Sequence, residues 1–376
     1  TSDNNGRTWS DWQPVAGDGA NPTQGVFTME GFRKAGGNID PVSGVRIGTL
    51  FQRVVKGPPQ EAMHKLWGGE RLFSDHGFYQ LTTAQGQPLG PPRMLRYEPG
   101  PDFEPDNWGD EHYWRTNEMY VGDTALPHRG SVVIAATVPV PCADESQDQD
   151  IPLIFPNTYR AGCVAGARCW VGRWNARRSD YDWTLSNTMH LPRHISSRGL
   201  VELNLNALND GRLLLIMRGS NDRLDPHTQP GHKWISLSDD GGLTWSTVEP
   251  MRFDTGEACN SPASISKTFR HARTGWLYFV GNITPGPTKG NGPRYPLYVA
   301  QIDERTATIR RDTMTLIDDR DPDRDSEHLQ LSNFCILQDR ESDDVEIYLA
   351  RLGCKGGTPD VVFEADAFRY TLAVSS

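Results

Sequence analysis

Ser238-Asp239-Asp240-Gly241-Gly242-Leu243-Thr244-Trp245 decides the fold, because Ser2-Asp3-Asn4-Asn5-Gly6-Arg7-Thr8-Trp9 repeats it. The shared pattern is S-x-D-x-G-x-T-W, with Asn4 at the Asp position of the first copy. In such a turn an Asp or Asn side chain accepts hydrogen bonds from the turn's own amides, and glycine supplies positive φ. Thr hands the chain to the next strand, and Trp packs between sheets. A self-match of this length marks a repeat architecture. Degenerate relatives stand near 82–91 and 303–308.

Outward from these turns, short strand-forming runs recur as a triplet followed by a fourth. The first set is 25–32, 45–55, 77–83 and 93–97; the second is 118–126, 131–140, 169–174 and 183–190. The third is 200–208, 212–218, 233–237 and 244–251, and the fourth is 263–269, 276–282, 295–302 and 313–317. The last is 332–338, 345–351 and 368–374, which lacks a fourth strand. Residues 7–15 read as that missing strand, so the N-terminal strand is expected to close the last blade and remove an exposed sheet edge. The expectation is an all-β fold, a β-propeller of four-stranded antiparallel blades. The count is five, or six if the irregular stretches 56–77 or 142–166 hold further strands. No linker-like shift in composition separates the units, so residues 1–376 read as a single domain.

Composition agrees. The 37 Gly and 27 Pro break helices and mark frequent turns, and no long segment keeps a 3.6-residue period. No apolar run approaches the roughly 20 residues a spanning helix needs. The net charge is −10 with no basic block, which argues against nucleic acid. A small acidic ligand stays compatible, since a local arginine cluster can sit inside an acidic shell. The six cysteines include no CxxC pair, so no structural zinc site is expected. Cys163 and Cys169 flank a short Gly-containing loop, and two readings stay open: a local disulfide or buried reduced thiols. No leader peptide is visible in the chain.

The turns resemble the Asp boxes of the sialidase (neuraminidase) superfamily, whose members fold as propellers. Arg198-Gly199-Leu200-Val201-Glu202, followed by Leu208-Asn209-Asp210-Gly211-Arg212 and the strand ending in Arg218, resembles the family segment in which a strand-borne Glu precedes an L-x-D-G-x-L turn and an Arg. The resemblance implies that Glu202 assists the nucleophile and that Arg218 binds a substrate carboxylate. Pro293-Arg294-Tyr295-Pro296-Leu297 is similar to the segment carrying another arginine of the family's triad, and Phe32-Arg33 is placed like the first. The stretch where the family carries its nucleophilic Tyr reads His328-Leu329-Gln330-Leu331-Ser332-Asn333-Phe334, without a Tyr.

Three constellations carry candidate chemistry. Glu30, Glu118 and Glu202 fall on or beside first strands, and paired carboxylates flanking a glycosidic bond can act as acid and base or acid and nucleophile. Arg33, Arg218 and Arg294 would bind an acidic sugar through guanidinium forks. Arg218 closes an apolar strand, where an unpaired charge is costly, and Glu202 is its natural partner. His112 (in His112-Tyr113-Trp114) and His128 (beside Arg129) would suit a lyase that abstracts a proton next to a uronate carboxylate; His64 and His76 lie in the first set. The acidic run from Asp318 to Asp325 reads as a solvated turn, since interleaved arginines spoil it for calcium.

The leading expectation is therefore an exo-glycosidase acting on a sialic acid or uronate residue of an oligo- or polysaccharide, with no metal and no cofactor. A polysaccharide lyase and a non-catalytic glycan-binding propeller are the alternatives. Such work implies a secreted or periplasmic location.

Overall fold

The strand-forming runs become five antiparallel sheets. The computed structural model describes residues 8, 10–11, 27–30, 37–56, 73–102, 109–141, 163–354 and 365–374. The first sheet holds β1 (Phe27–Glu30), β2 (Asn38–Ile39), β3 (Arg46–Lys56), β4 (Phe73–Thr82) and β5 (Arg93–Met94). A short helix, α1 (Glu111–Arg115), leads to the second: β6 (Tyr120–His128), β7 (Ser131–Pro141), β8 (Cys163–Asn175) and β9 (Asp180–Leu185). The third holds β10 (Val201–Ala207), β11 (Leu213–Arg218), β12 (Lys233–Ser238) and β13 (Glu249–Pro250). The fourth holds β14 (Lys267–Arg270), β15 (Leu277–Asn282), β16 (Leu297–Asp303), β17 (Thr308–Ile309) and β18 (Thr315–Asp318). The fifth holds β19 (Cys335–Gln338), β20 (Val345–Ala350) and β21 (Ala367–Leu372). Each sheet is an antiparallel meander, the blade of a β-propeller, with β2 beside β3 and β18 beside β16 as side branches, and the fold is all-β and five-bladed. Two compact units divide the chain. Ala16–Asp222 with Trp234–Glu249 carries the bulk of the first three blades, and Arg223–Lys233 with Pro250–Ser376 carries the last two.

β7 shows why these runs form blades. Its sequence SVVIAATVPVP is buried almost throughout, and side chains alternate between faces with a period of two. Val132, Ile134, Ala136 and Val138 pack with Ile47, Tyr79 and Leu81 of the first blade. Val133 and Ala135 pack with Leu213, Leu215 and Met217 of the third. A central strand covered on both faces needs an unbroken apolar run, and each large side chain buried there contributes roughly 1.5–3 kcal/mol. In the other unit, Val280, Leu297 and Val299 of the fourth blade share a core with Leu331, Phe334, Ile347 and Leu349 of the fifth.

The turn after β12 is closed by its own side chains. Asp240 Oδ1 accepts from the amides of Leu243 (3.0 Å) and Thr244 (2.9 Å) and from Ser238 Oγ (2.9 Å), while Thr244 Oγ1 donates to Oδ2 (2.6 Å). Burial alone would raise the Asp240 pKa; the donors from Thr244, Ser238 and Leu243 outweigh it and hold the carboxyl below its ordinary value. Trp245 is buried in the core shared by the second and third blades, its indole donating to Gly242 O (3.0 Å). Asn187 takes both backbone groups of Trp245, at 2.8 and 3.1 Å. These bonds explain a departure from expectation. A fourth strand was expected over 244–251, but only Glu249–Pro250 pairs, because the preceding residues are held by the turn.

Other differences are local. β4 and β8 begin at Phe73 and Cys163, earlier than expected. α1 was not anticipated; Asp110 caps it, accepting from the His112 amide at 2.8 Å. Cys163 and Cys169 are buried free thiols on one strand, so the local disulfide is not formed. The acidic run after β18 is not simply solvated: Arg351 pairs with both Asp318 and Asp325, and Tyr370 donates to Asp318. The expected closure by residues 7–15 lies almost wholly outside the described residues, among which the fifth sheet has three strands. Among the described residues no helix is long and apolar enough to cross a membrane.

Candidate functional site

The third blade concentrates the charges. β10 and β11 pair with Val201 opposite Arg218 and Asn204 opposite Ile216, so one extra residue is inserted on β10 between those pairs. Glu202 lies in this bulge with φ +52°, a left-handed conformation that costs a non-glycine residue about 1 kcal/mol or more. Bulges re-aim side chains, and this one turns Glu202 onto Arg218. Arg218 Nη1 donates to Glu202 Oε1 at 2.6 Å. Glu202 Oε2 is buried and makes no hydrogen bond within the protein. Arg218 sits where the apolar strand LLLIMR ends, its side chain 12% exposed, and an ion pair is what makes that burial tolerable.

The turn before β10 brings a second guanidinium. Ser197 N donates to Ser220 O (2.8 Å), Ser196 Oγ donates to Gly199 O (2.6 Å), and Leu200 N donates to Ala165 O (2.8 Å). Gly199, at φ +72°, passes so close to β8 that a Cβ would stand 1.9 Å from Ala165 O. This keyed turn presents Arg198, which faces Asp222 at 3.8 Å. Burial, and then the charge of Arg218, pull the Arg198 pKa below its ordinary value, while Asp222 and Glu202 pull the other way. Two arginines and two carboxylates therefore interact at one end of the third blade.

Glu118 belongs to a different group in the same unit. Met119 N donates to Asp75 O (2.7 Å), and His76 pairs through its backbone with Glu118, which sets β4 beside the start of β6. Arg53 forks Asp75 at 2.8 and 3.0 Å. His76 stacks on Tyr113 at 4.2 Å, and burial lowers its pKa to about 4 against the opposing charge of Asp75. Glu118 is itself buried, and it lines a small cleft with Asp75, Tyr120, Thr137 and Pro139. The space there, about 20 Å³ for the centre of a water, takes one water and no sugar ring. Glu118, named because it falls beside a first strand, is packed inside. Glu30 stands opposite Arg53 in the β1–β3 pairing, and Arg33 lies outside the described residues.

Among the described residues the candidate histidines do not assemble. His112 is exposed on α1, whereas its neighbour Tyr113 is buried with its hydroxyl on Gln52 Oε1 (3.2 Å). His128 meets Gly211 O at 3.0 Å, at the β10–β11 turn, the far end of β10 from Glu202. At about 3.3 Å per residue that strand keeps them roughly 20 Å apart. In the other unit, Arg294 donates to Asn291 O (3.0 Å), Gln330 Oε1 (3.0 Å), Ser332 Oγ (3.2 Å) and Ala263 O (3.3 Å). Gln330 and Ser332 come from the stretch in which a Tyr was sought. Among the described residues no three His, Cys, Asp or Glu side chains are grouped to hold a metal.

The chain is similar to solved sialidases. The K499G mutant of NanB sialidase from Streptococcus pneumoniae matches 81% of this chain with 37% of its own, at 11% identity and TM-score 0.46. The intramolecular trans-sialidase from Ruminococcus gnavus matches 80% with 52% of its own, at 10% identity and TM-score 0.44. An N-acetylgalactosamine deacetylase from F. plautii matches 96% with 92% of its own, at 9% identity and TM-score 0.44. The chain thus spans about a third to a half of the length of the two sialidases. No family model and no curated protein matches the sequence.

Sequence reasoning named Glu202 and Arg218 but passed over Arg198, Asp222 and Asp75. The available signal was positional. Arg198 and Asp222 flank an apolar strand pair at the end where Glu202 and Arg218 stand, and charges gathered at one end of a blade are unusual enough to inspect together.

Proposed function

We propose that the chain is a glycoside hydrolase acting from the end of a glycan on a carboxylate-bearing sugar, a sialic acid or a uronate. Arg218 receives the sugar carboxylate, and Glu202 serves as the base or nucleophile beside the scissile bond. The observation that carries this reading is the bulged, left-handed Glu202, paired with Arg218 through one oxygen and holding the other buried without a hydrogen bond. A strained, incompletely satisfied carboxylate on a rigid strand is suited to act on a ligand rather than to stabilise the fold. Glycan degradation of this kind places the protein in a secreted or periplasmic setting. The test is turnover of fluorogenic sialosides and uronosides at high enzyme concentration, with product masses showing the added water. Cleavage abolished by Glu202→Gln and Arg218→Gln supports the reading, and no cleavage of either substrate class refutes it.

A second reading, glycan binding without catalysis, is favoured by one observation. The stretch 328–334 supplies Gln330 and Ser332 as partners of Arg294, and no tyrosine hydroxyl. It predicts saturable binding of an acidic glycan and no product.

A further inference from the structure

Between β15 and β16, Asn291 is followed by Gly292, the one such step among the described residues. Glycine has no side chain to shield its amide nitrogen, so that nitrogen approaches the carboxamide carbon of the residue before it. Both residues are exposed, and a Cβ on Gly292 would meet nothing within 4 Å. The Gly292 N–H stands 3.4 Å from Lys289 O, longer than an ordinary amide hydrogen bond of about 2.7–3.2 Å, and is weakly restrained. The two Asp-Gly steps among the described residues share the same chemistry but are held tightly. Gly211 N donates to Leu208 O at 2.9 Å, and both oxygens of Asp210 accept from Arg212. Asp240 is closed by Ser238, Leu243 and Thr244. A guanidinium already touches residue 291. Arg294 Nε donates to Asn291 O at 3.0 Å, and Arg294 also donates to neutral oxygens of Gln330 and Ser332.

We propose that Asn291 is a site of spontaneous amide hydrolysis, and that the carboxylate formed there draws Arg294 away from Gln330 and Ser332. In the first step the Gly292 nitrogen bonds to Asn291 Cγ. The Cγ–Nδ2 bond breaks, and the nitrogen leaves as ammonia, carrying the Gly292 amide proton. Water then opens the cyclic imide. Attack at Cγ gives aspartate; attack at the main-chain carbonyl carbon gives isoaspartate, whose backbone runs one methylene longer. Water is the sole co-reactant. Either product places a negative charge beside Arg294, and a charge-assisted hydrogen bond is stronger than one to a neutral amide or hydroxyl. Gln330 and Ser332 belong to the stretch that leads into β19, so the reaction releases a side-chain tie between this loop and the fifth blade. The change runs one way and needs no enzyme, so it records the age of the folded molecule.

Incubation of the full chain in neutral and mildly alkaline buffer, followed by digestion at low pH and peptide mass analysis, tests the site. Residue 291 should convert ahead of the other asparagines of the described residues, to a mixture of aspartate and isoaspartate. Alkali should speed the reaction, because base removes the Gly292 amide proton. Gly292→Ala fits the open space but hinders the nitrogen, and should stay amidated over the period in which wild type converts half of its chains. Conversion no faster at residue 291 than at those other asparagines, or an equal rate in Gly292→Ala, overturns the site. Asn291→Asp gives the main product in pure form and tests the capture of Arg294. In urea unfolding its effect should be non-additive with that of Arg294→Gln, and the coupling should fade in high salt. Gln330→Ala supplies a second cycle should Arg294→Gln fail to fold. It should cost stability in wild type and nothing further in the Asn291→Asp chain, where Arg294 has already left Gln330. Additive effects in the cycle that is measured overturn the capture and leave the modification site standing.

Discussion

Acidification tests the packing around His76. The imidazole is buried, stacked on Tyr113, and in contact with Ser74 Oγ at 3.3 Å through Nε2. Ser74 Oγ donates to Trp114 O (3.0 Å), so it accepts from Nε2–H. Burial holds its pKa down at about 4, against the ordinary 6.5 of an unfolded chain. A histidine whose folded pKa is depressed contributes fully above the unfolded pKa, and the contribution is lost as pH falls from 6.5 towards 4, because the unfolded state takes up the proton first. The linkage relation puts the loss at about 2 kcal/mol by pH 5 and about 3 kcal/mol by pH 4. Urea unfolding at intervals from pH 7.5 to 5 measures it, with His76→Gln as the reference. The variant loses the stacking and starts less stable, so the slopes are compared rather than the absolute values. Wild type should lose about 2 kcal/mol more than the variant between pH 7.5 and 5. Parallel slopes would refute the claim that His76 is held neutral by burial.

Four further outcomes follow from the geometry. Gly199→Ala places a Cβ against Ala165 O in a left-handed turn and should cost at least about 2 kcal/mol in a denaturant melt; a neutral change would mean that the turn is not keyed to β8. Glu202→Gln should lower turnover of any cleaved sugar acid about 100-fold or more while the protein still unfolds cooperatively, and retention of full activity would remove Glu202 from the chemistry. His128→Ala should reduce stability by about 1 kcal/mol and leave turnover per folded molecule within about twofold, since His128 holds the opposite end of β10; an inactive but folded variant contradicts that separation. Cys163 and Cys169 should react with a thiol reagent only after denaturation, with no mass change on reduction, whereas a two-proton mass gain on reduction would show a disulfide.

The strands were legible because blade packing leaves a local record. β11 reads LLLIM because both of its faces are covered, and the turn after β12 is written in residues that bond one another within a few positions. The Glu202–Arg218 pairing was also legible, since a charge ending an apolar strand needs a nearby partner. What escaped depends on contacts between distant segments. Nothing local to Glu118 signals that Asp75 and His76 will bury it. Nothing local to His128 says that its partner is Gly211 O, at the wrong end of β10 for a shared site. The left-handed Glu202 is invisible in sequence for another reason: the one-residue register shift that produces it belongs to two strands at once. Arg294 was read as a ligand arginine from its neighbours in sequence, but its donors reach Gln330 and Ser332, more than thirty positions away.

The alternation along β7 has a consequence for how this chain can change. Neighbouring residues of one strand belong to separate cores: Val133 to the seam with the third blade, Ile134 to the seam with the first. The second blade therefore divides its interior between two neighbours. The cores on either side of β7 are joint property of adjoining sheets, and a substitution there is tolerated or rejected by a neighbour many residues distant in sequence. Transplanting a single blade from a relative would carry half of each seam and mismatch the other half. The unit that can be exchanged is the seam.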